Sequence, residues 1–174
     1  MSRHKLNDAD LKEMRDTVVL LHGVFPKSFF DRLKKQKPEC VFVLEGRPSL
    51  EAGKSSCREL LKRGITPTVI SDNMAGFLFY KSLVKEVWVA CQAVDDRGIV
   101  ASVGVSILGA LVRKHGVPMY GYFSPDKRKQ SQDFVGKEKD ILCFEGARIA
   151  PKGTSAYVPL VEWIPISYIR KVYE

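Results

Sequence analysis

The chain has 174 residues, of which 45% are hydrophobic and 28% charged, with a net charge of +8. That length and a mean hydropathy of -0.12 describe one globular domain able to bury a core, and no apolar run approaches the roughly 18 residues that span a bilayer. The charge alone permits nucleic acid, anionic small ligands or a solvated basic surface.

Met1 to Arg15 is polar and charged, lacks the apolar stretch of a secretory signal, and reads as a short helix or loose arm. Residues 16–174 form the domain. Apolar β-rich runs then recur at Thr17–His22, Cys40–Glu45, Thr66–Ser71, Glu86–Cys91 and Val117–Tyr122. The segments between them carry helical spacing. Pro26 opens one helix, with Phe29, Phe30 and Leu33 on one face. Ser49 opens the next, which stops at Gly64. Asp72 or Asn73 caps a third over Met74–Leu83, and Ser102 caps a fourth that runs to Lys114-His115-Gly116. Ser124–Lys139 reads as a long polar loop, Asp140–Phe144 as a strand and Ile166–Tyr173 as a short helix.

Strands alternating with helices define an α/β fold, a Rossmann-like three-layer domain with a mainly parallel sheet and helices on both faces. The near-continuous apolar strands fit a sheet covered on both sides. Cys40, Cys57, Cys91 and Cys143 lie too far apart for a zinc or disulfide framework, so they read as reduced thiols of a cytosolic protein. No metal or cofactor is implied. The densest basic stretch, Lys127-Arg128-Lys129 with Lys137 and Lys139, lacks interleaved aromatics and reads as a solvated loop, which argues against nucleic acid.

Ligands of an open parallel sheet collect at the carboxyl ends of its strands, where helix N-termini point their amides. Four segments qualify: His22-Gly23, Glu45-Gly46-Arg47-Pro48, Ser71-Asp72-Asn73 and Gln92–Ser106. Arg47, Lys54 and the helix N-termini suit a phosphate or carboxylate. Each segment also has a plain alternative. Glu45 with Arg47 can be a surface ion pair, Asp72 and Asn73 helix caps, His22 a structural histidine, and His115 a helix C-terminal cation.

Glu45-Gly46-Arg47-Pro48, followed by Gly64-Ile65-Thr66-Pro67-Thr68-Val69-Ile70-Ser71-Asp72-Asn73-Met74-Ala75-Gly76, resembles a signature of the translation initiation factor 2B α/β/δ-subunit family. That family includes methylthioribose-1-phosphate isomerase and ribose-1,5-bisphosphate isomerase. Its members read Glu-Thr-Arg-Pro at the first block and Thr-Asp-Asn-Met-Ala-Gly within the second. His115-Gly116-Val117-Pro118 and Pro159-Leu160-Val161-Glu162 continue the match, which runs from Asp16 to Glu174.

The resemblance also marks departures. The isomerases end the first strand in His-Cys, with a catalytic cysteine, where this chain has His22-Gly23. Their catalytic aspartate after the fourth strand is replaced by Gln92, an amide that exchanges no proton at neutral pH. Their Asn-Lys pair falls at Ser102-Val103, and a substrate-contacting glutamine aligns with the acidic Glu51. Cys91, beside the lost aspartate, reads as a buried thiol rather than a relocated nucleophile. Family members carry an N-terminal helical domain that contributes to the substrate site, and only residues 1–15 precede the first strand here.

The resemblance implies a non-catalytic, initiation-factor-like module binding a phosphosugar or nucleotide, a pseudoenzyme that dimerises through the apolar helix Met74–Tyr80. A protein partner can supply the helical domain. The alternative is a divergent sugar-phosphate isomerase, with His22, Glu51, Asp72 or Asp95 as acid–base group.

Overall fold

A computed structural model describes residues 18–124 and 134–174. The N-terminal arm and the basic stretch Lys127-Arg128-Lys129 lie outside the described residues. Five parallel strands follow the apolar runs: β1 (Val18–His22), β2 (Cys40–Leu44), β3 (Pro67–Ile70), β4 (Glu86–Val94) and β6 (Met119–Phe123). Helices α1 (Lys27–Gln36), α2 (Glu51–Lys62), α3 (Ala75–Tyr80) and α4 (Val105–His115) connect them, with β5 (Gly98–Ser102) inserted before α4. Beyond β6 come α5 (Lys139–Leu142), the small hairpin β7 (Cys143–Phe144) and β8 (Ala147–Arg148), then β9 (Val161–Pro165) and β10 (Lys171–Tyr173).

The period of two along each strand splits the core in two. Val19, Leu21, Val41, Val43 and Trp88 face α1 and α2. Val18, Leu20, Phe42, Val87 and Val89 face the opposite way, where Leu78, Phe79, Leu108 and Val112 of α3 and α4 pack. On the first face Phe29 holds α1 down, its ring 4.1 Å from Phe25, 5.5 Å from Trp88 and 5.3 Å from Tyr122. Burying one such aromatic contributes about 1.5–3 kcal/mol. It also fixes the β1–α1 turn at the strand ends.

The sheet order is β10-β6-β4-β1-β2-β3. Chain order runs outward from β1 through β2 to β3, and β4 then crosses to the other side of β1. That reversal between β1 and β4 is the topological switch point, where the flanking helices diverge and leave a crevice above the strand ends.

Several elements differ from the sequence expectation. Beyond the point where β1 ends opposite Val89, β4 runs on to Val94 and pairs antiparallel with β5, which in turn pairs with β9. Gln92–Ser106 is therefore mostly a hairpin rather than a strand-end loop. Its turn is Asp95-Asp96-Arg97, where Asp95 Oδ1 accepts from the amides of Arg97 and Gly98 at 2.9 and 2.8 Å. Ser102 belongs to β5, and the left-handed Gly104 occupies the N-cap of α4. The third helix is shorter than the apolar run, beginning as a 3-10 turn at Asp72–Met74 and ending at Tyr80. Asp140 lies in the one-turn helix α5, and only Cys143–Phe144 is strand. Ile166–Tyr173 is a 3-10 turn followed by β10, because Lys171–Tyr173 find an open partner in Tyr120–Tyr122 of β6. Edge pairing overrides local helical spacing there.

Candidate functional site

A cavity of about 150 Å³ opens at the switch point. It is small beside the ~300 Å³ or more of most ligand sites. β1 contributes His22, β4 contributes Ala90 and Gln92, and the β2–α2 turn contributes Gly46, Arg47, Pro48 and Ser49. Glu51 and Ala52 enter from the first turn of α2, Ser102 from the end of β5, and Val24, Ser124 and Leu160 complete the lining. Gln92 reaches this position at a bulge, where pairing jumps from Cys91–Ala101 to Ala93–Val100.

Of the residues singled out from sequence, His22, Arg47, Glu51, Gln92 and Ser102 meet in this cavity, while Glu45, Lys54, Asp72 and Asn73 do not line it. Asp72 is no helix cap. Its Oδ1 accepts from the Gly46 amide at 2.9 Å and its Oδ2 from the Arg47 amide at 2.7 Å. Asp72 follows β3 directly and β3 lies beside β2, so its carboxylate meets the turn that leaves β2. Gly46 takes φ +74°, and a Cβ there would come within 2.6 Å of Ala52 Cβ. The turn lies flat on the start of α2 only with glycine. Glu45 serves through its backbone, donating to Ile70 O and accepting from the Gly53 amide. Asn73 Oδ1 accepts from the Ser71 hydroxyl at 2.8 Å, and Lys54 is exposed.

Arg47 lines the cavity, and its Nη2 donates to Asp140 O at 3.0 Å while its guanidinium sits 5.8 Å from the Phe144 ring. The segment carrying α5 and β7 is thereby tied to the crevice. Ser124 and Leu160 were not read from sequence. Ser124 follows β6 and falls under the same strand-end rule, whereas Leu160 enters through the β5–β9 pairing that the sequence conceals.

His22 is buried, and its Nε2 donates to Val103 O at 3.0 Å. Among the described residues its Nδ1 has no partner and almost no accessible surface. Burial lowers its pKa from the ordinary 6.5, against the raising effects of Val103, Asp72 and Glu162. Cys91 is fully buried and absent from the lining, and burial pushes its thiol up to about 11. A relocated nucleophile at this position has neither access nor a thiolate. Gly23 holds φ +110°, with a hypothetical Cβ 2.8 Å from Ala90 Cβ. A side chain at this position requires the backbone to shift. Among the described residues no cluster of His, Cys, Asp and Glu is placed to hold a metal ion, and no helix is long and apolar enough to cross a membrane.

A cavity at the switch point of a mainly parallel sheet, bordered by an arginine on a carboxylate-anchored turn, places the chain among α/β domains with a crevice at the strand ends. The chain belongs to the Initiation factor 2 subunit family, whose model matches residues 18–173. It is 34% identical over 140 residues to methylthioribose-1-phosphate isomerase of Thermus thermophilus, covering 76% of this chain and 42% of that protein. It is 30% identical over 141 residues to 5-deoxyribose 1-phosphate isomerase of Petrotoga mobilis, covering 76% and 40%. The chain thus spans about two fifths of the length of these curated relatives. Its fold matches subunit delta of translation initiation factor eIF-2B from A. fulgidus, with a TM-score of 0.74, 21% identity, and coverage of 93% of this chain and 53% of that one. It also matches 5-methylthioribose 1-phosphate isomerase from Pyrococcus horikoshii, with a TM-score of 0.76, 19% identity, and coverage of 93% and 51%.

The buried neutral imidazole predicts a pH dependence of stability. Above pH 6.5 the ring is neutral in both folded and unfolded chains and contributes no slope. Below it the unfolded ring takes up a proton first, so stability falls until the folded ring follows. Glu59, held at about 2 by Lys62 and Arg63, is present as a stabilising carboxylate above its ordinary 4.5 and acts only below that value. Thermal unfolding across pH is expected to show a decline as pH falls below 6.5 that His22→Gln, which keeps an amide donor for Val103 O, removes. A decline unchanged in the variant contradicts the assignment.

Proposed function

We propose that the chain binds a phosphorylated five-carbon sugar in the β1–β4 crevice and belongs to the sugar-phosphate isomerase side of its family. The observation that carries this reading is the convergence of Arg47, Glu51, Gln92 and three serines in one small cavity. A guanidinium suits a phosphate, and the neighbouring acceptors and donors suit sugar hydroxyls. Relatives named for methylthioribose 1-phosphate and 5-deoxyribose 1-phosphate support the same ligand class. They favour the isomerase alternative over the regulatory reading preferred from sequence. A specific observation keeps a second reading, binding without turnover as in a pseudoenzyme. By the resemblance, Gly23 and Gln92 stand where the isomerases place their cysteine and aspartate, and a Cβ on Gly23 would lie 2.8 Å from Ala90 Cβ, so a side chain there needs the backbone to move.

Calorimetry with methylthioribose 1-phosphate, followed by an assay for the ketose product, separates the two. Binding lost about tenfold or more in Arg47→Ala is expected, since a charge-assisted pair is removed. Ketose formation supports the isomerase reading, and binding without product supports the second. Absence of any binding overturns both.

Assembly as a homodimer through α3 belongs to the same proposal, as does a partner polypeptide supplying a helical domain. Ala75, Leu78 and Phe79 are buried in the core, while Met74, Phe77 and Tyr80 are 43%, 47% and 76% exposed. A helix apolar on both sides fits a second partner. Sedimentation is expected to give a dimer that Phe77→Glu converts to monomer. A wild-type monomer at all concentrations removes the dimer.

A further inference from the structure

A group of cations lies at the opposite end of the sheet from the crevice. β10, β6 and β4 are neighbours and run parallel, so their amino ends share one edge. Arg170 stands immediately before β10, Gly116-Val117-Pro118 before β6 and Lys85 before β4. Arg113 and His115 come from the last turn of α4, which leads into β6. Two cavities of about 220 and 240 Å³ open along this edge and share the wall Gly116-Val117-Pro118. Arg113 and Arg170 line the first, Lys85 and His115 the second, and no acidic residue lines either. Glu86 follows Lys85 in the chain but turns to the other sheet face, where its Oε1 accepts from Trp88 Nε1 at 2.9 Å.

We propose that this edge is a second binding surface, which takes the phosphate backbone of a nucleic acid across the starts of β10, β6 and β4. A helix C-terminus attracts cations for its own stability, which accounts for Arg113, Lys114 and His115. It does not account for Lys85 and Arg170, which belong to no helix and, among the described residues, form no ion pair. Two strand intervals separate the positions of Arg170 and Lys85, about 10 Å of edge. Lys85, Arg113, His115 and Arg170 are all exposed. A small-molecule site encloses most of its ligand, whereas an open row of cations fits an extended polyanion. The lining rings are turned inward, Phe79 being buried and Tyr168 packed against the core. Among the described lining residues no ring is presented to stack a base, so the surface reads backbone charge rather than base sequence. The run Lys127-Arg128-Lys129 gives no sign of this surface, because its cations stand far apart in sequence and only the parallel sheet brings them together.

Fluorescence anisotropy of a labelled oligouridylate with the full chain, across a salt series, tests this. Lys85, Arg113 and Arg170 together neutralise about three phosphates, so log K is expected to fall against log salt with a slope of about −2. Arg113→Gln combined with Arg170→Gln is expected to weaken binding about tenfold or more at low salt and to flatten the slope to about −0.7. Lys85→Gln alone is expected to flatten it by about 0.7, which covers the case in which the double variant fails to fold. Lys34→Ala, an exposed cation of α1 on the other sheet face, is expected to bind as wild type does. Absence of binding overturns the inference, and so does a slope unchanged in the variants, which places the RNA elsewhere on the chain. Displacement by methylthioribose 1-phosphate overturns it by placing the RNA in the crevice. Equal competition by polyglutamate overturns it in favour of an acidic protein partner. None of these outcomes touches the phosphosugar reading, whose calorimetry is separate.

Discussion

The crevice depends on one carboxylate. Asp72 accepts the adjacent amides of Gly46 and Arg47 at 2.9 and 2.7 Å, joining the end of β3 to the turn that leaves β2. Hydrogen bonds to a charged acceptor contribute about 1.5–3 kcal/mol each, and amides left without an acceptor in a half-buried turn cost a comparable amount. This pair sets where Arg47 begins, and Arg47 in turn links the cavity to the carbonyl of Asp140. The packing behind it is ordinary: aromatic burial against α1, aliphatic burial against α4, and a parallel sheet between.

What the chain shares with the isomerases it matches is the scaffold. The switch point brings together the end of β1, the end of β4 and the start of α2 wherever this topology occurs. In this chain those positions carry Gly23, Gln92 and Glu51. Gly23 has a backbone conformation that L side chains rarely adopt, and a Cβ there would lie 2.8 Å from Ala90 Cβ, so any substitution at this position strains the turn. The carboxylate of the cavity is placed on α2, not on β4.

Much of this was legible in the sequence. Five of the parallel strands appear as apolar runs because helices cover both sheet faces, and α1, α2 and α4 appear through their periodic buried residues. The strand-end rule located His22, Arg47 and Gln92 without reference to any relative. What it missed was long-range. Asp72 carries the local signature of a helix cap, and nothing nearby in sequence reveals that its acceptors' donors lie 25 and 26 positions upstream. The β4–β5 hairpin was hidden because β4 leaves the core after Cys91, so Gln92–Val94 continue the strand half-buried to exposed and a polar residue interrupts the apolar run. Leu160 reaches the cavity only through β9, whose pairing with β5 spans about sixty residues of chain. β10 escaped because three residues carry too little pattern to separate strand from helix.

Amide hydrogen exchange at Gly46 and Arg47, compared between the wild-type chain and Asp72→Asn, tests the anchoring role most directly. A single neutral acceptor cannot hold both amides as the carboxylate does. Exchange at the two positions is therefore predicted to accelerate by about tenfold or more, with the amides of β1 and β2 unaffected. Unchanged protection at Gly46 and Arg47 in the variant would show that the turn holds its shape without Asp72 and would contradict the account.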